Sequence, residues 1–380
     1  MLKHLILIVT LFCTSCNDSS KSYIRVLKNR NSDFDLASLN KGIWSKHKIQ
    51  ERNNLTYPNS YGSTSGYNAY SSDFTEKKGI LILAHPGAFI LDSKDNYYIQ
   101  KLAKDLARTG LYHTASIDYH KIPLDINNIV DLVGQDEFIN KNVYQSAADV
   151  GYAFNYISSI DDINVDTENI WLLGYSAGAI AANTLIFTSP DEASPIKNTS
   201  TSIFSKDNKK IAGLISISGG LPDYSIINDF DLTGFEFLMF HGTNDQIVPI
   251  GQGKPFQKYV KKTKIELPSL YYDIGIAVEG DVDSNISIGS DFGIQIPAYI
   301  IKAFVNGFTE DVCGSECIFS NLINSPQISF YQIENGTHTF FQSKNSTFNR
   351  NYLHLRDIIL KKIKRKHNER RKEIRRSQRN

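Results

Sequence analysis

Gly174-Tyr175-Ser176-Ala177-Gly178 sets a serine between two glycines, each two residues away. A serine hydroxyl is a weak nucleophile near neutral pH, so it needs a base to take its proton and an acid to orient that base. Two later segments supply both: His241-Gly242-Thr243-Asn244-Asp245 carries Asp245, and Glu334-Asn335-Gly336-Thr337-His338 carries His338. Asp223 and Glu334 are the competing acids. The chemistry such a set performs is acyl transfer, which also needs donors for a developing oxyanion. His85-Pro86-Gly87-Ala88-Phe89 offers them. Pro86 has no N–H, but Gly87 and Ala88 can donate, and Ala177 adds a third N–H at the start of a helix. His85 reads as an anchor of its loop rather than a base, and His241 as support to the acid turn rather than a direct participant.

The elements around these residues must place them at one edge. Ile170-Trp171-Leu172-Leu173 is a short apolar run suited to a strand buried on both faces, and residues 179–187 suit a helix packed on it. Similar runs predict strands at 80–84, 111–117, 211–217, 235–240 and 328–333, with helices over 96–108 and 143–157. Short apolar strands alternating with helices imply a mostly parallel sheet covered on both faces. Asp245 and His338 then each fall just beyond a strand end, as Ser176 does. Almost ninety residues separate the 235–240 strand from the 328–333 strand, far more than a crossover needs. This insertion, about 250–325, contains a predicted helix over 297–307 and is a candidate lid; the alternative is a solvent-side elaboration remote from the site.

With 380 residues, 41% hydrophobic and 21% charged, the chain has the composition of a soluble globular protein. Its formal charge of +1 hides an asymmetry. Residues 361–380 hold eleven Lys/Arg and only Glu369 and Glu373 as acids, leaving 30 basic against 38 acidic residues elsewhere. The acidic body argues against nucleic-acid binding by the chain as a whole, and no specific nucleic acid is expected. The basic tail, 361–380, reads as a solvated, partly helical charge run able to contact anionic surfaces. Its removal is expected to leave folding and hydrolysis nearly unchanged.

Met1-Leu2-Lys3-His4 gives a basic start, residues 5–12 an apolar core too short to span a bilayer, and Thr14-Ser15 lead to Cys16. The pattern resembles a bacterial lipoprotein signal. That resemblance assigns residues 1–16 to a lipoprotein-type signal and implies cleavage just before Cys16, lipidation of Cys16, and export to the cell envelope, periplasmic or outer surface. Residues 17–50 are polar and aperiodic, a tether and lead-in to a domain over 51–360. Export makes a disulfide the natural reading of Cys313-Gly314-Ser315-Glu316-Cys317. The alternative, a zinc pair, supplies only half of a structural site.

From about residue 75 to 345 the chain resembles an α/β-hydrolase of the carboxylesterase and hormone-sensitive-lipase-like kind. The residues that carry the likeness are the His85 loop, Ile117-Asp118-Tyr119-His120, Asn164-Val165-Asp166 before the serine, and the order Ser176, Asp245, His338. The resemblance implies an α/β-hydrolase fold, with a mostly parallel central sheet, helices on both faces and an insertion before the last strand. It also implies hydrolysis of carboxylic esters through an acyl-enzyme, without cofactor or metal, on a small-molecule or glycan-linked ester. Pro86, Ala88 and the long insertion depart from the family pattern, so the pocket is this chain's own. A peptidase of the same fold and a non-catalytic surface glycan-binding protein are the other readings.

Overall fold

The computed structural model describes residues 24–26, 47–89, 92–121, 136–187, 211–222, 235–245, 247–253, 271–272, 296–297, 312–322, 328–334, 336, 338–341 and 349–377. The leader with Cys16, most of the insertion including the 297–307 helix, and Asp223 lie outside them. Among the described residues no helix is long and apolar enough to cross a membrane.

Strands form here from apolar runs that bury both faces in the middle of the sheet, whereas the edge strand over 50–58 is largely open to solvent. The strands are β1 (Ile24–Val26), β2 (Gln50–Pro58), β3 (Thr64–Ser71), β4 (Lys78–Ala84), β5 (Tyr112–Ile117), β6 (Val165–Tyr175), β7 (Ile211–Ile217), β8 (Gly220–Leu221), β9 (Glu236–Gly242), β10 (Gln252–Gly253), β11 (Tyr271–Tyr272), β12 (Ile296–Pro297), β13 (Val312–Gly314) and β14 (Ile328–Ile333). The helices are α1 (Tyr97–Ala107), α2 (Asp136–Ser159), α3 (Ala177–Phe187), α4 (Ser315–Asn321) and α5 (Asn349–Ser377). The main sheet has nine strands in the order β1-β14-β9-β7-β6-β4-β5-β3-β2. The six from β14 to β5 are parallel; β1, β3 and β2 pair antiparallel at the edges.

Alternate residues of the parallel strands feed two cores. Ile80, Ile82, Ile170, Leu172 and Leu214 pack with α2, α3 and α4 on one face. Leu81, Leu83, Trp171, Leu173 and Ile215 pack with α1 and α5 on the other. Full burial of one such aliphatic side chain stabilises by roughly 2 kcal/mol, which is why these strands carry no polar alternation. Helix α1 starts where the Asn96 side chain accepts from the Tyr98 and Ile99 N–H groups, both at 3.0 Å. The arrangement is the α/β-hydrolase fold, with helices on both faces of a mostly parallel sheet.

Two boundaries read from the sequence are corrected. Ile24–Val26, inside the expected tether, joins the main sheet beside β14. The expected tail from 361 is helical but not solvated throughout, since α5 runs unbroken from Asn349 to Ser377 and its burial continues past 360. Ile363 is fully buried, its carbonyl accepts from the Tyr112 hydroxyl at 3.1 Å, and the buried Lys362 ammonium donates to Ser329 Oγ at 3.2 Å. Arg365 pairs with Glu236, and Arg370 with Glu168. Burial lowers the Lys362 pKa, against the pull of Glu236. The charges hide an anchoring face; Lys364, Arg371, Lys372, Arg375 and Arg376 are the exposed remainder.

The insertion is corrected in part as well. β10 and β8 flank β13 in a small three-stranded sheet, β11 pairs with β12, and Ile318 and Phe319 of α4 enter the main core. Residues 312–322 are therefore part of the body rather than a remote elaboration.

Candidate active site

The register of the parallel strands brings their C-terminal ends to one edge. Ala84 pairs with Gly174, Tyr175 with Ile217, and Ile333 with Gly242, so the loops after β4, β6, β7, β9 and β14 meet there. Ser176, immediately after β6, has φ 54°, the left-handed region that L residues avoid. Its N–H donates to the Ile217 carbonyl and its own carbonyl accepts from the Ile180 N–H, both at 2.9 Å, and these bonds hold the strained turn. The two glycines of the motif are steric requirements. A Cβ on Gly174 would lie 2.4 Å from Ala179 Cα, and one on Gly178 would lie 2.5 Å from the carbonyl oxygens of Ala84 and His85. The second close approach also fixes the His85 loop against the first turn of α3.

His338 Nε2 is 2.7 Å from Ser176 Oγ, and His338 Nδ1 is 2.8 Å from Asp245 Oδ2. A carboxylate only accepts, so Nδ1 carries the proton and Nε2 is left as the acceptor for the serine hydroxyl. The His338 backbone is pinned as well: its carbonyl accepts from Ser218 Oγ at 3.0 Å and from the Tyr175 hydroxyl at 3.3 Å. The Tyr175 ring stacks on the imidazole with centroids 5.7 Å apart. Neither Tyr175 nor Ser218 was singled out from the sequence. Tyr175 adjoins the serine, and Ser218 carries no signal beyond following a strand.

The Asp245 side chain is fully buried yet well supplied with donors. Oδ1 accepts from the Ile247 and Val248 N–H groups at 2.9 and 3.0 Å, and Oδ2 lies 3.1 Å from His241 Nε2 as well as 2.8 Å from His338. Burial pushes its carboxyl up, but His338 and His241 outweigh that and hold it well below the usual carboxylate range. The structure brings Asp245, not Glu334, to the imidazole. His241, expected to support the acid turn, contacts the carboxylate directly.

In the His85 loop, Gly87, Ala88 and Phe89 have φ of 121°, 53° and 61°. His85 is completely buried and stacks on Tyr119 at 4.3 Å, with Nδ1 2.6 Å from the Pro86 carbonyl. Burial pulls its pKa down to about 3, so it is neutral, and Nδ1–H donates to that carbonyl. It is placed as an anchor. Asp92, just beyond the loop at φ 71°, takes a bond from Asn96 Nδ2 at 2.6 Å, and burial raises its carboxyl to about 6. Across the site, Cys313 and Cys317 are joined by a disulfide next to the acid turn.

No protein-family model matches this sequence, and no curated protein sequence does. Several solved structures follow a similar backbone course. A dienelactone hydrolase-like promiscuous phosphotriesterase from metagenomic libraries is 11% identical, with 83% of this chain and 98% of that one covered at a TM-score of 0.44. An arylesterase is 10% identical, with 86% and 90% covered at 0.42. A hyperthermophilic esterase from Pyrobaculum calidifontis is 14% identical, with 55% and 73% covered at 0.35.

Proposed function

We propose that this chain is a serine hydrolase that cleaves carboxylic esters through an acyl-enzyme. The observation that carries the reading is the unbroken hydrogen-bond chain Ser176–His338–Asp245, with Ser176 on a strained turn at a helix start. In this reading Ser176 Oγ attacks the ester carbonyl while His338 Nε2 takes its proton. The oxyanion is met by the N–H groups of Gly87, Ala88 and Ala177, each such donor contributing roughly 3 kcal/mol to the transition state. His338 returns the proton to the leaving alkoxide, then activates water to release the acyl group, and Asp245 stabilises the imidazolium throughout.

Export and anchoring through Cys16 belong to the same proposal, supported by the Cys313–Cys317 disulfide, a bond that persists in oxidising compartments. Metabolic labelling with a fatty-acid probe checks the anchor: label on the wild type and none on Cys16→Ser is expected.

The test of the activity is hydrolysis of p-nitrophenyl esters from acetate to longer acyl chains by the full chain and by Ser176→Ala. Turnover lost in the variant supports a serine esterase, and the chain-length profile sizes the pocket. Equal rates, or none on any ester, contradict it and bring anilide substrates and glycan binding forward.

A further inference from the structure

The hydrogen-bond chain does not stop at Asp245. His241 is completely buried on β9, and its Nε2 faces two acceptors, the Val248 carbonyl at 3.0 Å and Asp245 Oδ2 at 3.1 Å. Its Nδ1 lies 2.8 Å from the hydroxyl oxygen of Ser315, which is also buried. Two acceptors at Nε2 favour the proton there. In the neutral ring Nδ1 then accepts, and Ser315 must donate to it. The alternative acceptor for the Ser315 hydroxyl, the Gly219 carbonyl, is more distant at 3.4 Å. Ser315 therefore selects the His241 tautomer that turns N–H toward the acid, just as Asp245 selects the tautomer of His338.

What holds Ser315 is equally specific. It lies two residues from each end of the Cys313–Cys317 bridge, and Cys313 is fully buried. The Gly314 N–H donates to the Gly251 carbonyl at 3.0 Å, and the Glu316 N–H to the Ile250 carbonyl at 2.7 Å. The fit leaves no room at Gly314, where a Cβ would lie 1.9 Å from the Pro249 carbonyl oxygen. The disulfide loop is thus bonded to the strand of chain that follows the acid turn.

We propose that Ser315, clamped by the Cys313–Cys317 disulfide, and His241 are positioning residues that hold the Asp245 carboxylate in register with His338. The chain Ser315–His241–Asp245–His338–Ser176 links a bridge in the insertion to the nucleophile across 139 residues of sequence. Its kinetic consequence rests on the hydrolase reading above; the tautomer it assigns does not.

The test uses the full chain with Ser315→Ala, Ser315→Thr and the double replacement Cys313→Ser with Cys317→Ser. In the resting wild type, the ¹⁵N shifts of the His241 ring are expected to show the proton on Nε2, with a mixture of tautomers in Ser315→Ala and recovery in Ser315→Thr. On an ester substrate, Ser315→Ala is expected to lower kcat about tenfold with KM unchanged, as loss of an orienting partner does. The double cysteine variant is expected to match Ser315→Ala, and combining the two to add nothing further. A single His241 tautomer unchanged by Ser315→Ala, or a Ser315→Ala enzyme with wild-type kcat, overturns the proposal. If Ser176-dependent turnover is missing from the wild type, the hydrolase reading fails, and the NMR arm still decides whether Ser315 orients His241.

Discussion

The two edges of the central sheet are built to opposite ends. At the edge where the strands finish, five of the six described non-glycine residues with positive φ gather: Ala88, Phe89, Asp92, Ser176 and Ser218. At the edge where the strands begin, α5 crosses them and is held there by Lys362 to Ser329, Tyr112 to Ile363, and the Glu236 and Glu168 ion pairs. Strain of this sort costs of order 1–3 kcal/mol per residue and persists only where the surroundings over-determine it. One edge thus gathers strain around Ser176, and the other supplies packing that keeps the strands in register beneath it.

Changes at the two edges should therefore separate activity from stability. The largest expected effect is on rate: Ser176→Ala lowers ester turnover at least about a thousandfold, while circular-dichroism melting shows a fold close to wild type. Comparing that variant with Ser176→Gly isolates the strain. Both lack the hydroxyl, and the glycine variant is expected to be about 1 kcal/mol more stable because φ 54° costs glycine nothing.

The opposite pattern is expected at α5. Ile363→Ala should cost about 2–5 kcal/mol in urea denaturation, and truncation after Leu360 more. The surviving folded fraction should keep its kcat per titrated active site. A truncated chain as stable as the full one would remove α5 from this comparison.

Within the strained edge, two aspartates should show opposite pH signatures. The Asp92 carboxyl is raised by burial to about 6, above its ordinary 3.8. Its folded-state proton is therefore held more tightly, so its contribution is full below pH 4 and is lost as pH rises toward 6. Asp245 is depressed, so its contribution is present above its ordinary value and is lost as the pH falls through the folded one. Denaturation between pH 4 and 7 is expected to show the loss in wild type and a flatter profile in Asp92→Asn. The smallest effect belongs to the part-exposed Arg370–Glu168 pair, where Arg370→Ala should change stability by less than about 1 kcal/mol.

How much of this was legible in the sequence followed from burial. β7 and β14 coincide with their apolar runs because both faces of each are covered. The β2–β3 hairpin escaped notice because it is an edge pair rich in Asn, Tyr and Thr, half of it open to solvent. From residue 361 on, α5 looked like a charge run because Lys362 and Arg365 point ammonium and guanidinium groups at Glu236, while Ile363 continues the buried face of Tyr352, Leu355 and Ile359. Ser176 was picked out by its flanking glycines, and Asp245 and His338 by position after strand ends, which a sheet turns into proximity to it. The partnership of His241 with Ser315 was not legible, since 74 residues separate them and neither sits in a recognisable pattern with the other.

The central claim is that Ser176 is an activated nucleophile with His338 as its base. Treating the full chain with a fluorophosphonate and mapping the adduct by mass spectrometry tests it without knowledge of the natural substrate. The account predicts a single adduct on Ser176 in the wild type and a loss of labelling in His338→Ala. No adduct on Ser176, or labelling at the same rate in both proteins, would contradict it.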